Sequence, residues 1–443
     1  MAFVSKIYVN YCDCEVGQVF KLPSLITESG IIISHQRYLA WNSGKSESWK
    51  ERSVFALRLL IEYINTNQEA SKATHLLKAF TLALVTGTID YKIISDPLSL
   101  FWRPRKVSDA NNILYHITNY TDFLAMQDGF EQSRVNPFRK ATTYEERLNW
   151  CAYYHKKANV FLNHLTSSHE AKNLMQQVRM VGSFENPNIE VEPAVRFPEE
   201  HLDRLLRLGC QKKDGTPDYQ LQAMIMLMNF GGIRKSELFH IYVSDITLNP
   251  IRQNEALVRV YHPEIGDSPN LKYKNRKEYL EATTNYLSRN NYRFSERLYA
   301  GWKNPLLTSK KGYFEVVFCP PSMAEAFLNV WANYLKFQRV EPLKNNPHPF
   351  AFTQNDGSPE TLKNFQRKYK RVVEKIGLIY SKERGTSEHG HRHAYGYRAK
   401  SLGLDAVEMQ KAMHHKSPIS HLVYTQPTSE EVRQKMSCVS EYG

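Results

Sequence analysis

Cysteine is scarce in this sequence and carries no recognisable pattern. The six cysteines among 443 residues are scattered, and none forms the CxxC pair of a zinc or redox motif. We therefore expect reduced thiols, no disulfide framework and no bound metal. Long apolar runs and a clean secretory signal are also missing, which predicts no membrane partner and a cytoplasmic location, next to the nucleoid if the cell is bacterial.

Acidic residues are too few to balance the basic ones. The chain has 58 Lys and Arg against 45 Asp and Glu, so its formal net charge is +13. Such an excess favours a polyanionic partner, with nucleic acid ahead of a membrane surface, although a merely soluble basic protein is the alternative. Hydrophobic residues make up 42% of the chain, which is enough for a folded core and argues against global disorder.

The length suggests two or three domains, and a linker marks one boundary. Three prolines lie between residues 187 and 198, which predicts a break near 185–196. We therefore divide the chain into an N-terminal extension (1–47), a mainly helical region (48–190) and a third region (195–443). Apolar spacing predicts helices at 53–66, 198–209, 218–230 and 358–378, and strands at 30–34, 256–262 and 314–319.

The helix expected at 358–378 has a one-sided character. Its apolar stripe runs from Leu362 to Ile376, while lysines and arginines occupy much of the remaining surface. Ser358 is the expected N-cap, and Pro359 suits the first turn. Such a charge run is usually a solvated face, but its one-sidedness also suits a phosphate backbone.

Three polar clusters require a joint explanation. They are "GGIRKSELFHI" at 231–241, "EHGHRHAYG" at 388–396 and "HHKSPISHLVYTQ" at 414–426. The alternating histidines of the second cluster suggest a metal site, but no carboxylate pair with ligand spacing accompanies them and Arg392 would repel a dication. A phosphate explains more, because arginines on separate elements can fork onto its oxygens and histidines can donate to it.

A tyrosine in such a site could attack phosphorus. Its phenol is a weak nucleophile at its ordinary pKa, so it needs a nearby base and a strongly positive surrounding. The charge that develops on the phosphorus oxygens needs donors already in place. This scheme requires neither a metal nor a nucleotide cofactor.

The order of these residues resembles the tyrosine recombinase, or phage integrase, family. The first cluster is similar to the family's first box, the second to its His-x-x-Arg box, and 403–424 to its final box, over roughly residues 195–430. The resemblance implies a mainly α fold with a small antiparallel β-sheet, in which a helical core-binding domain and a catalytic domain form a C-shaped clamp on DNA. The catalytic residues carried over by it are Arg234, His389, Arg392, His415 and Tyr424, with Glu237 and His393 beside them.

The same resemblance implies a mechanism and partners. Tyr424 would cleave one strand of double-stranded DNA, leaving a 3′-phosphotyrosyl bond and a free 5′ hydroxyl, and a partner strand would then reseal the break. We expect a site-specific recombinase or integrase that moves a mobile element, acting as a homo-tetramer on synapsed DNA, with accessory DNA-bending proteins as further partners. Residues 1–47 are extra and are candidates for arm-site or protomer contacts.

Two departures from the family pattern concern the site. His414 stands where the family often has glycine, and a long insertion, 262–308, lies before the expected general-acid lysine. Lys311 is our first choice for that acid, with Lys310, Lys274 and Lys277 as alternatives. Rival functions are a type IB topoisomerase, a protelomerase-like enzyme, or a non-catalytic DNA-binding protein on the same fold.

Overall fold

The chain folds into two units of mixed helix and small antiparallel sheet. The computed structural model describes residues 3–13, 17–66, 73–91, 94–127, 134–157, 173, 175–185, 194–417, 420, 422–425, 433 and 436–437. The units are Met1–Ile189 and Glu190–Gly443, so the N-terminal extension belongs to the first. No helix in the described ranges has the length and apolar character needed to cross a membrane. Four cysteines lie in those ranges and all are free thiols: Cys12, Cys151, Cys210 and Cys319.

The first unit begins with an antiparallel sheet and continues with helices. The sheet has the order β1-β2-β3, and a separate hairpin pairs β4 with β5. The strands are β1 (Val4–Asp13), β2 (Gln18–Thr27), β3 (Gly30–Ile31), β4 (Phe138–Lys140) and β5 (Gln177–Arg179). The helices are α1 (Ile33–Trp41), α2 (Glu47–Thr66), α3 (Ala73–Thr86), α4 (Val107–Ala125) and α5 (Thr143–Lys157).

The expected strand at 30–34 is wrong beyond Ile31. The ladder with β2 ends at the Ile26–Ile31 pair, and a helix begins at Ile33. His35, Tyr38 and Leu39 recur at helical spacing and are buried against α2 and α4, which a strand could not achieve. The helix expected at 53–66 is confirmed as part of α2, whose Leu57 and Leu60 are buried.

The second unit holds its small sheet among seven helices, counted over the described residues. The sheet has the order β6-β7-β8 and is antiparallel, with β6 (Ile246–Leu248), β7 (Ala256–Tyr261) and β8 (Tyr313–Glu315). An irregular helical segment, 199–209, precedes them. The helices are α6 (Tyr219–Asn229), α7 (Arg276–Thr283), α8 (Met323–Phe337), α9 (Leu362–Lys375), α10 (Glu388–Ser401), α11 (Ala406–Ala412) and α12 (Leu422–Thr425).

Helix α9 confirms the predicted apolar stripe but begins later than expected. Phe365, Tyr369 and Val372 are buried in the main core of the unit. The N-cap is Thr361, whose side chain accepts a hydrogen bond from the Asn364 amide, so the assignment of Ser358 as cap is wrong. The reason is non-local: residues 358–359 belong to a turn whose end, Pro359, bridges to Thr353.

Two buried arginines attach the 262–308 insertion to the rest of the unit. Arg276, on α7, is 1% exposed and pairs with Asp245, Nη1 lying 2.9 Å from Oδ2. Its guanidinium also lies between the rings of Tyr242 and Tyr261, 4.1 and 4.0 Å from their centroids. Arg289 donates to the main-chain oxygens of Leu298 and Glu360. The insertion is therefore an integral layer of the second unit.

We expect Arg276→Ala to destabilise the second unit by about 3–5 kcal/mol, because it leaves the Asp245 carboxylate buried without its partner. The exposed Arg252, whose Nη1 lies 3.4 Å from Glu255, is the matched control, and Arg252→Ala should cost about 0–1 kcal/mol. Urea unfolding followed by tryptophan fluorescence compares the two variants. Equal destabilisation by both would show that the insertion is not anchored in this way.

Candidate active site

One face of α10 carries most of the second polar cluster. The helix begins after Ser387, which has extended backbone, and runs through the cluster without interruption. His389, Arg392, His393 and Gly396 are spaced by three or four residues, so they share one face. His391 lies on the opposite, buried face.

Arg392 holds together two segments that are remote in sequence. It is 2% exposed, and its guanidinium donates to the main-chain oxygens of Gly232 and Met413. Burial, and then the charge of Arg234, lowers its pKa to about 10, so it remains a cation at neutral pH. A guanidinium has five N–H groups, and the two bonds leave others for a ligand.

The glycine turn after α6 presents Arg234. Gly232 has a φ of +65°, and a Cβ there would lie 2.6 Å from the Tyr395 ring, so no other residue fits. Glu237, fully buried, accepts hydrogen bonds from the Arg234 amide at 2.6 Å and from its Nη1 at 2.8 Å. The carboxylate thus fixes both the backbone and the guanidinium of Arg234.

Tyr424 is buried against the same face of α10. Its side chain is 4% exposed, and its hydroxyl lies 2.8 Å from Nδ1 of His393. Burial raises the pKa of the phenol to about 12, while the charges of Arg392 and Arg234 act in the opposite direction. The phenol is therefore neutral at pH 7 and already has a hydrogen-bond partner that could take its proton.

His393 bonds to that hydroxyl, and His389 stands beside His393 on the same face of α10. Burial, followed by the charge of Arg392, lowers the pKa of His393 to about 4, which keeps its ring neutral and able to accept at neutral pH. His389, whose ring centroid is 4.4 Å from that of His393, is exposed at its surface. Desolvation, followed by the interaction with His393 and then by the charge of Arg392, lowers the pKa of His389 to about 3. His393 is the partner that sequence reasoning named only as a neighbour.

The two adjacent histidines after α11 occupy different surroundings. His415 is 5% exposed and its ring is nearly parallel to that of Tyr424, at 6.4 Å between centroids. His414 has a φ of +53°, the left-handed region that explains a glycine preference at this position. Its ring stacks on Phe314 at 3.8 Å, and burial holds its pKa far below the ordinary value.

His391 is a core residue. Its two ring nitrogens lie 2.9 Å from Asn229 Nδ2 and 2.8 Å from the Tyr369 hydroxyl, and its ring stacks on Phe197 at 4.4 Å. It therefore links α6, α9 and α10 rather than facing the site. In the described part of the chain, no group of three or more His, Cys, Asp or Glu is arranged to hold a metal ion.

The segment that carries Lys303, Lys310 and Lys311 borders His414. Leu306 donates its amide to the His414 oxygen at 3.1 Å, and Phe314 packs on its ring, so the turn between them is held beside the site. Lys311 is exposed in that turn, and its main-chain oxygen accepts from the Asp267 amide at 2.9 Å. Lys303 precedes the turn, and its charge helps to lower the pKa of His389. Sequence reasoning overlooked Lys303.

The described geometry thus brings together Arg234, His389, Arg392, His415 and Tyr424, with His393 added.

Gly396 makes the close packing of the tyrosine possible, because a Cβ there would lie 2.8 Å from Cε1 and 3.0 Å from Cζ of Tyr424. The absence of that side chain is a requirement of the site, not of the helix. The spacing of apolar residues in the sequence does not indicate that a glycine is needed at this position.

We expect Gly396→Ala to displace the Tyr424 ring and to slow any reaction of its hydroxyl by roughly a hundredfold, as misplacement by about 1 Å can do. Gly44→Ala, where an added Cβ meets nothing within 4 Å, is the control and should leave the rate unchanged. The measurement is the rate of covalent protein–DNA linkage with DNA affinity determined in parallel. An unchanged rate in Gly396→Ala would show that Tyr424 does not take part in the reaction.

Comparison with family models and with curated proteins finds no match. Comparison with solved structures finds XerA recombinase, at 14% identity over 91% of this chain and 96% of that chain, with a TM-score of 0.35. It also finds the Tn1549 transposon integrase in complex with transposon right end DNA, at 15% identity, 87% and 99% coverage and a TM-score of 0.38. Lambda integrase bound to DNA has 11% identity, 86% and 90% coverage and a TM-score of 0.41.

These neighbours are tyrosine recombinases.

Proposed function

We propose that this protein is a site-specific DNA recombinase that cleaves and rejoins strands through a 3′-phosphotyrosyl intermediate. The observation that carries the proposal is the buried Tyr424 hydroxyl, bonded to His393 and set in the positive field of Arg392 and Arg234. The core tyrosine Tyr369 also bonds to a histidine, His391, but the charges that act on its phenol are those of Glu388, Tyr380 and Cys210 rather than of arginines. The family resemblance of the motifs adds to this observation.

The proposed cleavage step balances without a cofactor. The Tyr424 oxygen forms a bond to phosphorus, the bond from phosphorus to the 5′ oxygen breaks, and the phenol proton passes to His393. Arg234 and Arg392 bind the non-bridging oxygens, with their forks matched to the phosphate. Their charges stabilise the phosphorane-like transition state more than the ground state, which is the source of rate. Attack by a 5′ hydroxyl of another strand reverses these steps.

His389 and His415 have supporting roles in this proposal. Each lies at the site with a ring that can donate to a phosphate oxygen once DNA is bound. The His415 ring lies nearly parallel to the Tyr424 ring, at 6.4 Å between centroids. We further propose that both units bind duplex DNA and that the active assembly on synapsed DNA is a homo-tetramer.

The 5′ oxygen that leaves needs a proton, and Lys311 is our assignment for its donor. We expect Lys311→Ala to lower cleavage of ordinary DNA by about a hundredfold or more, the usual contribution of a general acid. A substrate whose bridging 5′ oxygen is replaced by sulfur needs no proton and should restore the rate. Lys310→Ala, the adjacent and exposed alternative, is run in parallel, and rescue by sulfur of Lys310→Ala alone would transfer the acid role to Lys310.

Lys303 is the competing donor, because its charge reaches His389. Lys303→Ala is therefore run on both substrates beside Lys311→Ala, Lys274→Ala and Lys277→Ala. Rescue by sulfur of Lys303→Ala alone would transfer the acid role to Lys303. Rescue of none of the lysines would contradict a lysine acid.

Covalent capture tests the function without knowledge of the target site. The full chain is incubated with DNA fragments from the flanks of its own gene, the mixture is denatured, and protein-bound DNA ends are sequenced. A recombinase should yield adducts at one defined sequence, together with joined products when two sites are present. Relaxation of supercoiled plasmid by a monomer at many sequences would favour a topoisomerase, and sealed hairpin ends a protelomerase.

A further inference from the structure

The turn that carries Lys311 is packed against the start of the insertion. We call residues 262–267 the neck of the insertion and residues 309–312 the Lys311 turn. The neck follows β7 and the turn precedes β8, so each continues one strand of an antiparallel pair. We infer that the neck is a positioning element, which holds Lys311 where it protonates the leaving 5′ oxygen. The inference rests on the proposed function and on the assignment of the proton donor to Lys311.

Two main-chain hydrogen bonds join the neck to the turn. The His262 amide donates to the Gly312 oxygen at 2.7 Å, and the Asp267 amide donates to the Lys311 oxygen at 2.9 Å. Within the turn, the Lys311 amide donates to Oγ of Ser309 at 3.2 Å. Both main-chain polar groups of Lys311 are therefore bonded, so its backbone is fixed although its side chain is exposed.

Two buried glycines allow the neck and the turn to touch. Gly312 has a φ of +74°, and a Cβ there would lie 2.8 Å from Cα of Gly266. A Cβ on Gly266 would lie 2.7 Å from the His262 oxygen and 3.0 Å from Cβ of Tyr261. These obstacles are main-chain atoms or lie next to the main chain, so they cannot rotate away. A side chain at either glycine would force the neck or the turn to shift.

The neck is tied in turn to the buried anchor of the insertion. Arg276 donates through Nε to the Asp267 oxygen at 3.3 Å, and its amide donates to the Gly266 oxygen at 3.0 Å. The same guanidinium pairs with the buried Asp245. The path from Asp245 to Lys311 thus consists of main-chain groups and one buried side chain. Such a rigid path suits positioning, because a shift of about 1 Å in a reacting group can slow a reaction roughly a hundredfold.

The alternative is that this contact only closes the insertion and has no effect on the proton donor. The two explanations differ in what happens when the 5′ oxygen is replaced by sulfur, a leaving group that needs no proton. If the neck positions Lys311, weakening the contact should slow cleavage of ordinary DNA selectively. If the contact is merely structural, weakening it should slow both substrates alike or neither.

The test substitutes the glycines on both sides of the contact in the full-length chain. Gly312→Ala and Gly266→Ala each add a methyl group at the contact. Gly215→Ala is the matched control for Gly312→Ala, because φ at Gly215 is +82° and an added Cβ meets nothing within 4 Å. Rates are compared at a temperature at which thermal unfolding shows all three variants to be folded.

Cleavage of ordinary DNA by the two contact variants should be slower by roughly ten- to a hundredfold. Their cleavage of the sulfur-substituted substrate should stay within about twofold of the unmodified chain, since this step needs no acid. Gly215→Ala should match the unmodified chain on both substrates. Equal slowing of the two substrates by both contact variants, or no slowing of either, would overturn the inference.

Hydrogen exchange of the Asp267 amide, followed by mass spectrometry, reports the contact without DNA. Exchange should be faster in Gly312→Ala than in the unmodified chain, because the shifted turn no longer offers the Lys311 oxygen as acceptor. Gly215→Ala should leave this exchange unchanged. An unchanged rate in Gly312→Ala would show that the neck and the turn are not coupled, and the inference would be wrong.

Failure of the proposed function has a different signature. If the unmodified chain forms no covalent linkage with either substrate, the proposed function fails and the inference falls with it. If the unmodified chain does form the linkage but sulfur does not restore cleavage by Lys311→Ala, the proposed function stands. The inference is then overturned alone, because the turn carries no acid to be positioned.

Discussion

Tyr424→Phe is expected to abolish covalent linkage to DNA while leaving DNA affinity within about twofold. The phenol oxygen is the proposed nucleophile, and its removal leaves no atom that can bond to phosphorus. The ring itself packs on Gly396 and beside His415, and phenylalanine retains these contacts. Loss of the bond to His393 should cost about 1 kcal/mol of stability, which is small beside the loss of chemistry.

The measurement is a denaturing gel of protein–DNA adducts, with a duplex-binding assay in parallel. Tyr397→Phe is the matched control, since the Tyr397 ring contacts that of Tyr424 at 5.6 Å on the same side of α10. It should form adducts at close to the normal rate. Adduct formation by Tyr424→Phe would place the nucleophile elsewhere, with Tyr395 and Tyr397 as the next candidates.

Arg392→Ala is expected to lower the cleavage rate by about a hundred- to a thousandfold, as removal of one donor to a developing charge does. Its affinity for DNA should change far less, because the scissile phosphate is one of many phosphate contacts. The buried position adds a second consequence. Without the guanidinium, the oxygens of Gly232 and Met413 lose their donor, which should destabilise the fold by about 1–3 kcal/mol each.

Arg392→Lys separates the two roles. A lysine keeps the charge but cannot span two carbonyls and also fork onto a phosphate, so cleavage should recover little. Rates are compared at a temperature where circular dichroism shows each variant to be folded. Arg398→Lys is the control: Arg398 lies on the same helix and also donates to main-chain oxygens, those of Asn229 and Cys319. Full activity of Arg392→Lys would show that only charge is needed.

Local sequence patterns predicted much of the second unit. The helix α6 was predicted at 218–230 from its apolar run, because that signal depends on residues within one or two turns. The order of Arg234, Arg392 and Tyr424 was enough to suggest a phosphate site. These features depend on residues that are close in sequence or on a distinctive set of residue types.

Features that depend on remote partners were not predictable in the same way. The hydrogen bond between His393 and Tyr424 joins residues 31 positions apart, and the Arg276–Asp245 pair also spans 31. The N-cap of α9 is Thr361 rather than Ser358, because residues 358–359 belong to a turn in which Pro359 bridges to Thr353. Which lysine serves as the general acid likewise depends on how the segment after the insertion packs against His414. Each of these features depends on which segments, distant in sequence, pack together in the folded chain.

The most direct test of the proposal is to identify the amino acid that carries DNA in the covalent adduct. The trapped complex is digested with nuclease and trypsin, and the residual nucleotide is located by mass spectrometry on the peptide 417–433. The proposal predicts a nucleotide on Tyr424, joined through its 3′ phosphate, and a released strand whose free 5′ hydroxyl can be labelled by a kinase. A nucleotide on any other residue, a 5′ linkage, or no adduct with cleaved DNA would contradict it.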